Sequence, residues 1–504
     1  MSPTPHFYPL SSTAPVILMF LKAFAALAVI GGLFGTLAVG SKFEAYDAGL
    51  FIPFEDLKAL SSRDFTTLAH PLFPNTNVRI KKSTDFCDGS VNAYTGYIDN
   101  GARHMFFYFF ESRNNPATDD MIFWTDGGPG CSSALGLFME LGPCRVTSAN
   151  ATTFNPYSWN ENANVFFVDQ PIGVGFSYAD YGEYVMTTED AATDIAAFMA
   201  IFFEHFTQFK GRPLHMTGES YGGHYVPAFA AHVYDQNAQL IAAGATPINL
   251  TSIMIGNGCT DYPGMLDSYY EVECAKHPVQ SLSFCMSMKK AMPRCQKWLK
   301  ESCLDIFDTV SCSAAMTFCT TNLVAPFFVT GYNPYDITKL CDGTIETTLC
   351  YPIIQTIQSY LDQPAIRQQI GVDPAVTANF TACSSTVGAL FTAAVDSAFP
   401  SQNYIELLLA RGVKTLIYVG DNDWICNSVG NEKMTLNLDW ANHDDFGSQP
   451  LKEWSVNGKA AGQTRSSGPL TYTTIYGAGH LTPLDQPEVS LEMVKRWISG
   501  KGLL

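Results

Sequence analysis

Three short segments carry the side chains that a nucleophilic serine requires. Ser220 sits in Gly218-Glu219-Ser220-Tyr221-Gly222, a G-x-S-x-G pattern. Two acidic candidates, Asp421 and Asp423, lie in Tyr418-Val419-Gly420-Asp421-Asn422-Asp423, and His480 closes Tyr476-Gly477-Ala478-Gly479-His480. A hydroxyl is a poor nucleophile until a base takes its proton and hydrogen-bond donors receive the charge that develops on the attacked carbonyl. A serine, an acid and a histidine supply the first of these needs, so the chemistry they point to is acyl transfer through a serine.

G-x-S-x-G alone is a weak signal, and its context strengthens it. Pro213-Leu214-His215-Met216-Thr217 is a short, mostly apolar run that predicts a buried strand into the turn, and the run from Val226 to Val233 predicts the helix after it. Strand, sharp turn and helix is the setting in which such a serine is exposed, and the chain order Ser, Asp, His is that of α/β-hydrolases. Thr415 to Val419 predicts a strand ending at the acidic loop, and Tyr472 to Tyr476 one ending near His480. Strand ends are where an open α/β sheet places its ligand site.

The rest of the chain supports an alternating pattern. Met105 to Phe110, Met121 to Trp124, Val165 to Val168 and Ile253 to Ile255 are further strand candidates. Asp190 to Phe206 predicts a helix, with Ile195, Phe198, Met199, Phe202 and Phe203 at helical spacing. From about 261 to 395 cysteines concentrate and strand-like runs thin out, which predicts a disulfide-stapled, largely helical insertion. Site residues flank it, so it is expected to lie over the site as a cap. The α/β pattern resumes near 403. His215, His224 and His232 lack metal-ligand spacing and read as packing or surface residues.

The 504 residues carry a formal net charge of −18, with 47% hydrophobic and 15% charged residues, which fits a globular chain and argues against nucleic acid as the main partner. Polar residues, then an apolar run from Val16 to Val39 interrupted by Lys22, predict a signal peptide over 1–41, or an uncleaved signal anchor. Residues 42–80 form a candidate pro-segment, and 81–504 the catalytic domain with its insertion at 261–395. Fourteen cysteines suit an oxidising compartment, and the absence of C-x-x-C spacing speaks against a metal site. Asn150, Asn249 and Asn379 open N-x-S/T triplets that could accept glycans.

Several motifs together resemble the serine carboxypeptidase family of the carboxypeptidase Y type, over about residues 85–504. They are Trp124 to Ser133 (W-T-D-G-G-P-G-C-S-S), Phe138 to Pro143, Asn155 to Asn160, Val168 to Pro171 with Gly173 to Tyr178, Gly218 to Pro227, Gly256-Asn257-Gly258, Gly420 to Asn427 and Gly477 to Pro487. The resemblance implies an α/β-hydrolase fold: a central, mostly parallel sheet with a disulfide-rich, largely helical cap. It selects Asp423 over Asp421 as the acid of the triad. It implies Ser220 as nucleophile, His480 as base, and the N–H groups of Gly128 and Tyr221 as the oxyanion hole.

The family holds the substrate's C-terminal carboxylate with two glutamates and an asparagine. The glutamates match Glu140 and Glu219, whereas the asparagine position holds Asp126, which can donate only when protonated. Cys426 matches a family cysteine that is a free thiol beside the substrate. Pairings implied for the other cysteines are Cys131–Cys383, Cys274–Cys285, Cys295–Cys319, Cys303–Cys312 and Cys341–Cys350, which leaves Cys87, Cys144 and Cys259 without assigned partners. The expected function is a serine carboxypeptidase releasing C-terminal amino acids through an acyl-enzyme, favoured at acid pH, in a secreted or vacuolar, lysosome-like lumen. No cofactor or metal is expected, and the partners are peptide and protein C-termini. The alternative is an acyltransferase or esterase on the same scaffold.

Overall fold

A computed structural model describes residues 51–504 of the chain. The expected signal or anchor over 1–41 lies outside the described residues. The central sheet is built from β1 (Thr66–Ala69), β2 (Thr76–Lys82), β3 (Ala93–Asn100), β4 (Arg103–Phe110), β5 (Asp120–Thr125), β6 (Ala163–Val168), β7 (Leu214–Glu219), β8 (Leu250–Gly256), β9 (Lys414–Gly420), β10 (Lys452–Val456), β11 (Lys459–Ser467) and β12 (Leu470–Ile475). Their spatial order is β1-β2-β3-β4-β6-β5-β7-β8-β9-β12-β11-β10, with the two-residue strand Tyr178–Ala179 beside β4. The six strands from β6 to β12 run parallel, and antiparallel strands flank them on both sides.

β4 shows why these residues make a two-sided sheet. Successive side chains of a strand point to opposite faces. Phe107 and Phe109 enter one cluster, with Phe166, Phe198 and Phe202, while Phe106, Tyr108 and Phe110 enter the other, with Phe86 and Phe138. The predicted helix forms as α1 (Thr188–His205), capped by the Thr187 hydroxyl accepting from the Asp190 N–H. Its Ile195, Phe198, Met199 and Phe202 are fully enclosed, each such side chain contributing about 1.5–3 kcal/mol. It packs beside α2 (Gly222–Ala242), the helix that follows Ser220.

Two features were not read from the sequence. β1 and most of β2 fall inside the candidate pro-segment 42–80 and pair as the outer strands of the central sheet. Their alternation of polar and apolar residues over short spans gives little sequence signal. The insertion between β8 and β9 also divides in two. Residues 262–351 form a lobe around Met265, Tyr269, Met288, Leu299 and Leu323, a third core that also takes in Trp424 and Cys426 from the acidic loop. Residues beyond it, including Ile354, Ile357, Tyr360 and Phe380, pack instead against the sheet beside Phe106 and Tyr108.

All fourteen cysteines are paired. The five implied bridges form, joined by Cys87–Cys144 and Cys259–Cys426. Asn150, Asn249 and Asn379 are all exposed.

Candidate active site

Ser220 follows β7 directly and has φ 62°. A non-glycine residue there stores about 1–3 kcal/mol of strain and needs its surroundings to hold it. Backbone bonds hold it: the Ser220 N–H donates to Gly256 O (3.1 Å), and Ser220 O accepts from Gly223 N (2.9 Å) and Cys259 N (3.0 Å). The turn thereby lifts the hydroxyl above the sheet and places α2 beneath it.

β9 and β12 deliver the other two groups. His480 Nδ1 lies 2.8 Å from Asp423 Oδ2, and both residues are buried. Asp423 is further fixed by Asn257 Nδ2 (2.8 Å) on Oδ2 and by the Ile425 N–H (3.0 Å) on Oδ1. Asn257 is held in turn, its Oδ1 accepting from Gly420 N and Thr482 Oγ1. With Asp423 accepting at Nδ1, the neutral ring keeps Nε2 free to take a proton. Nε2 is buried without a hydrogen-bond partner among the described residues. His480 and Ser220 line one cavity. Asp421 instead accepts from the Gly477 N–H (2.8 Å), away from the imidazole.

The insertion braces this pair. Tyr335 O accepts from the His480 N–H (2.7 Å), and Pro334 O accepts from Trp424 N and Ile425 N. Tyr335, Leu349, Tyr351 and Ile354 close one side of the cavity.

The turn 127–130 approaches Ser220 closely. A Cβ on Gly127 would fall 2.3 Å from Tyr221 N and 2.8 Å from Ser220 Cβ, so only glycine fits. Among the described residues, neither the Gly128 nor the Tyr221 N–H has a protein acceptor, which leaves both available to an oxyanion.

Asp126 and Glu219 line the same cavity, with Glu140 behind them. All three are almost wholly buried. The Glu140 and Glu219 carboxyls face each other within hydrogen-bonding reach, a contact that bonds only when one is protonated. Among the described residues no other group satisfies either oxygen of Glu140. Burial and the neighbouring carboxyls push both well above the ordinary glutamate range. Burial pushes Asp126 up to about 7, against the Trp124 indole N–H (2.5 Å) and the Gly136 N–H (3.2 Å), which its two oxygens accept. Arg145, which bears on Glu140 electrostatically, donates from Nη2 to the carbonyls of Glu140 (3.3 Å) and Pro483 (3.4 Å) and not to the carboxyls.

Cys426 departs from expectation. It is bonded to Cys259, so no thiol borders the site. The loop after β8 and the acidic loop after β9 are adjacent, and that adjacency brings the two sulfurs together. The sequence motifs had assigned no role to Asn257, Tyr335 or Asp396. The last is a buried acid bonded to the Tyr221 hydroxyl (2.7 Å). Their positions depend on contacts between distant segments, and only the G-N-G after a strand hinted at one of them.

A parallel α/β sheet with serine, histidine and acid at its strand ends defines a serine hydrolase of the α/β-hydrolase class. Residues 86–500 match the family model described as serine carboxypeptidase. The vacuolar serine-type carboxypeptidase ATG42 of Saccharomyces cerevisiae is 40% identical over 419 residues, covering 82% of this chain and 80% of that protein. Carboxypeptidase Y of Candida albicans is 39% identical over 434 residues, covering 85% and 77%. The crystal structure of Kex1(Δ)p, a prohormone-processing carboxypeptidase from Saccharomyces cerevisiae, has the same fold. Its TM-score is 0.71 at 23% identity, over 87% of this chain and 96% of that one. The chain belongs to the serine carboxypeptidase family.

Proposed function

We propose that this carboxypeptidase removes the last residue of peptides and proteins through an acyl-enzyme on Ser220, working best at acid pH. His480 takes the serine proton and returns one to the departing amino acid. Asp423 holds the imidazole tautomer and offsets the charge it gains. The N–H groups of Gly128 and Tyr221 receive the oxyanion. Asp126, Glu140 and Glu219 receive the substrate's terminal carboxylate while they hold protons.

One observation carries this reading: the cavity that reaches Ser220 and His480 is also lined by Asp126 and Glu219, buried acids with no cation paired to them among the described residues. Such carboxyls serve as donors to an anion only when protonated, which ties binding to acid pH. A lumenal address, vacuolar as the name of the yeast relative has it, agrees with seven disulfides and three exposed glycan acceptors.

The test compares blocked peptides bearing a free C-terminus with their C-terminal amides at acid pH. The free acids are expected to be cleaved with far higher kcat/KM. Equal values for both forms would exclude carboxylate recognition and favour the esterase or amidase alternative.

A further inference from the structure

Asp396 and the segment before it sit where the oxyanion hole is anchored. The two oxyanion N–H groups come from different parts of the chain, one in the turn 127–130 and one at the start of α2. Residues 382–396, the last stretch of the insertion, hold both. On the first side, Ser384 N donates to Gly130 O (2.8 Å), Ser132 N donates to Ala382 O (2.8 Å), and Cys131 is bridged to Cys383. A Cβ on Gly130 would press on the Val387 side chain at 3.0 Å and on Ser384 O at 3.1 Å, so the two segments are already in close contact.

On the second side, the Tyr221 ring is enclosed. It stacks on His224 (4.6 Å between centroids) and meets Tyr225 and Phe391. Its hydroxyl donates to Asp396 Oδ2 at 2.7 Å. Asp396 is fixed independently of Tyr221. It accepts from the Thr188 N–H (2.9 Å) and hydroxyl (2.6 Å), at the first residue of α1, where the helix dipole favours an anion. It is buried and makes no ion pair among the described residues.

The aim of the Tyr221 N–H is set by the peptide plane between Ser220 and Tyr221. Backbone bonds hold both ends, Ser220 O accepting from Gly223 N and Cys259 N and Tyr221 O from His224 N (2.9 Å) and Tyr225 N (3.2 Å). The packed, tethered side chain adds a further hold on Tyr221, next to a position strained by the φ of Ser220. We propose that Asp396 is a positioning residue, which aims the oxyanion N–H of Tyr221 through the tyrosine hydroxyl. Segment 382–396 then acts as a strap that keeps the two oxyanion donors in register. This rests on the carboxypeptidase reading given above.

The test uses Tyr221→Phe, Asp396→Ala, Asp396→Asn and the double variant Tyr221→Phe/Asp396→Ala, each checked for an unchanged melting temperature. The readouts are kcat and KM on a blocked dipeptide, and inhibition by a peptidyl aldehyde, whose adduct with Ser220 places an oxygen in the hole. Removing the tether is expected to lower kcat about 10- to 100-fold with little change in KM, since misaiming one oxyanion donor has costs of this order. Aldehyde affinity is expected to fall by a similar factor, while binding of the product amino acid stays constant. Asp396→Asn, whose amide can still bond to the tyrosine hydroxyl, is expected to recover most of the loss. The double variant is expected to be no worse than Asp396→Ala.

Additive losses, or a fall in product binding equal to the fall in kcat, would overturn the proposal. So would normal kcat in both Tyr221→Phe and Asp396→Ala. If Asp396→Ala fails to fold, Tyr221→Phe and the aldehyde decide alone. If the unmutated enzyme does not cleave free-acid dipeptides, the substrate reading fails. The rate at which a fluorophosphonate labels Ser220 in these variants then still tests the tether.

Discussion

The α1 face of the sheet and the lobe 262–351 are both well enclosed, but they are held by different means. Phe198 and Phe202 of α1 pack on Phe107, Phe109 and Phe166 of the sheet, and no disulfide joins the helix to the strands. The lobe has a smaller core, rich in cysteine and methionine, and four of its own disulfides within ninety residues: Cys274–Cys285, Cys295–Cys319, Cys303–Cys312 and Cys341–Cys350. A large sheet buries enough apolar surface to be stable by packing, whereas a small helical unit needs covalent staples. Chemistry follows the same division. Ser220, Asp423 and His480 follow strands of the sheet, and the lobe supplies part of the cavity wall and the carbonyls that steady His480 and Ile425.

The largest expected effect breaks the sheet side. Ser220→Ala is expected to lower kcat by at least ~10⁴-fold with an unchanged melting temperature, because the serine's role is chemical. Stopped assays on a blocked dipeptide together with a thermal melt check both halves.

The lobe side breaks through its staples. Changing Cys295 and Cys319 together to serine is expected to cost about 2–4 kcal/mol of lobe stability in a denaturant titration, read at Trp298. The α1 face is expected to unfold at an unaltered midpoint. A single shared midpoint that moves for both would show that the two regions unfold as one.

pH sharpens the comparison, because each region hides neutral acids. Burial raises Asp126 and Asp169 in the sheet to about 7 and Glu273 in the lobe to about 8. Folded carboxyls then hold protons that the unfolded chain releases, so this stability is complete below about 4 and is lost as pH rises through about 7 to 8. Asp126→Asn removes one such group and supplies a permanent donor. It is expected to lower KM for free-acid peptides toward neutral pH and leave amide substrates almost unmoved. Superimposable peptide profiles for the two proteins would remove Asp126 from carboxylate binding.

The smallest expected effect is at the junction of the regions. With Cys426 bonded to Cys259, an organomercurial is expected to leave activity unchanged until a reductant has been added. Inhibition of the unreduced enzyme would show a free thiol at that position.

The sequence made legible whatever is encoded locally. Apolar runs gave β4, β5, β6, β7, β9 and β12 within a residue or two, and the helical spacing of Ile195, Phe198 and Phe202 gave α1. Ser220 and His480 were readable because a tight turn or glycine-rich loop after a strand leaves a signature in consecutive residues. Cys259 with Cys426, Asn257 with Asp423 and Asp396 with Tyr221 were not, because each pair is separated by more than 160 positions and meets only when the sheet closes. β1 and β2 escaped because short outer strands carry few apolar residues.

Pro334 and Tyr335 have a consequence for engineering. Their carbonyls belong to the insertion, yet they anchor the backbones of Trp424, Ile425 and His480. The insertion is therefore not a detachable module. A chimera that grafts another relative's lobe here inherits foreign acceptors for two of its reactive loops. It is expected to turn over poorly even with a well-folded lobe, unless the loops around 421–427 and 477–485 are exchanged with it.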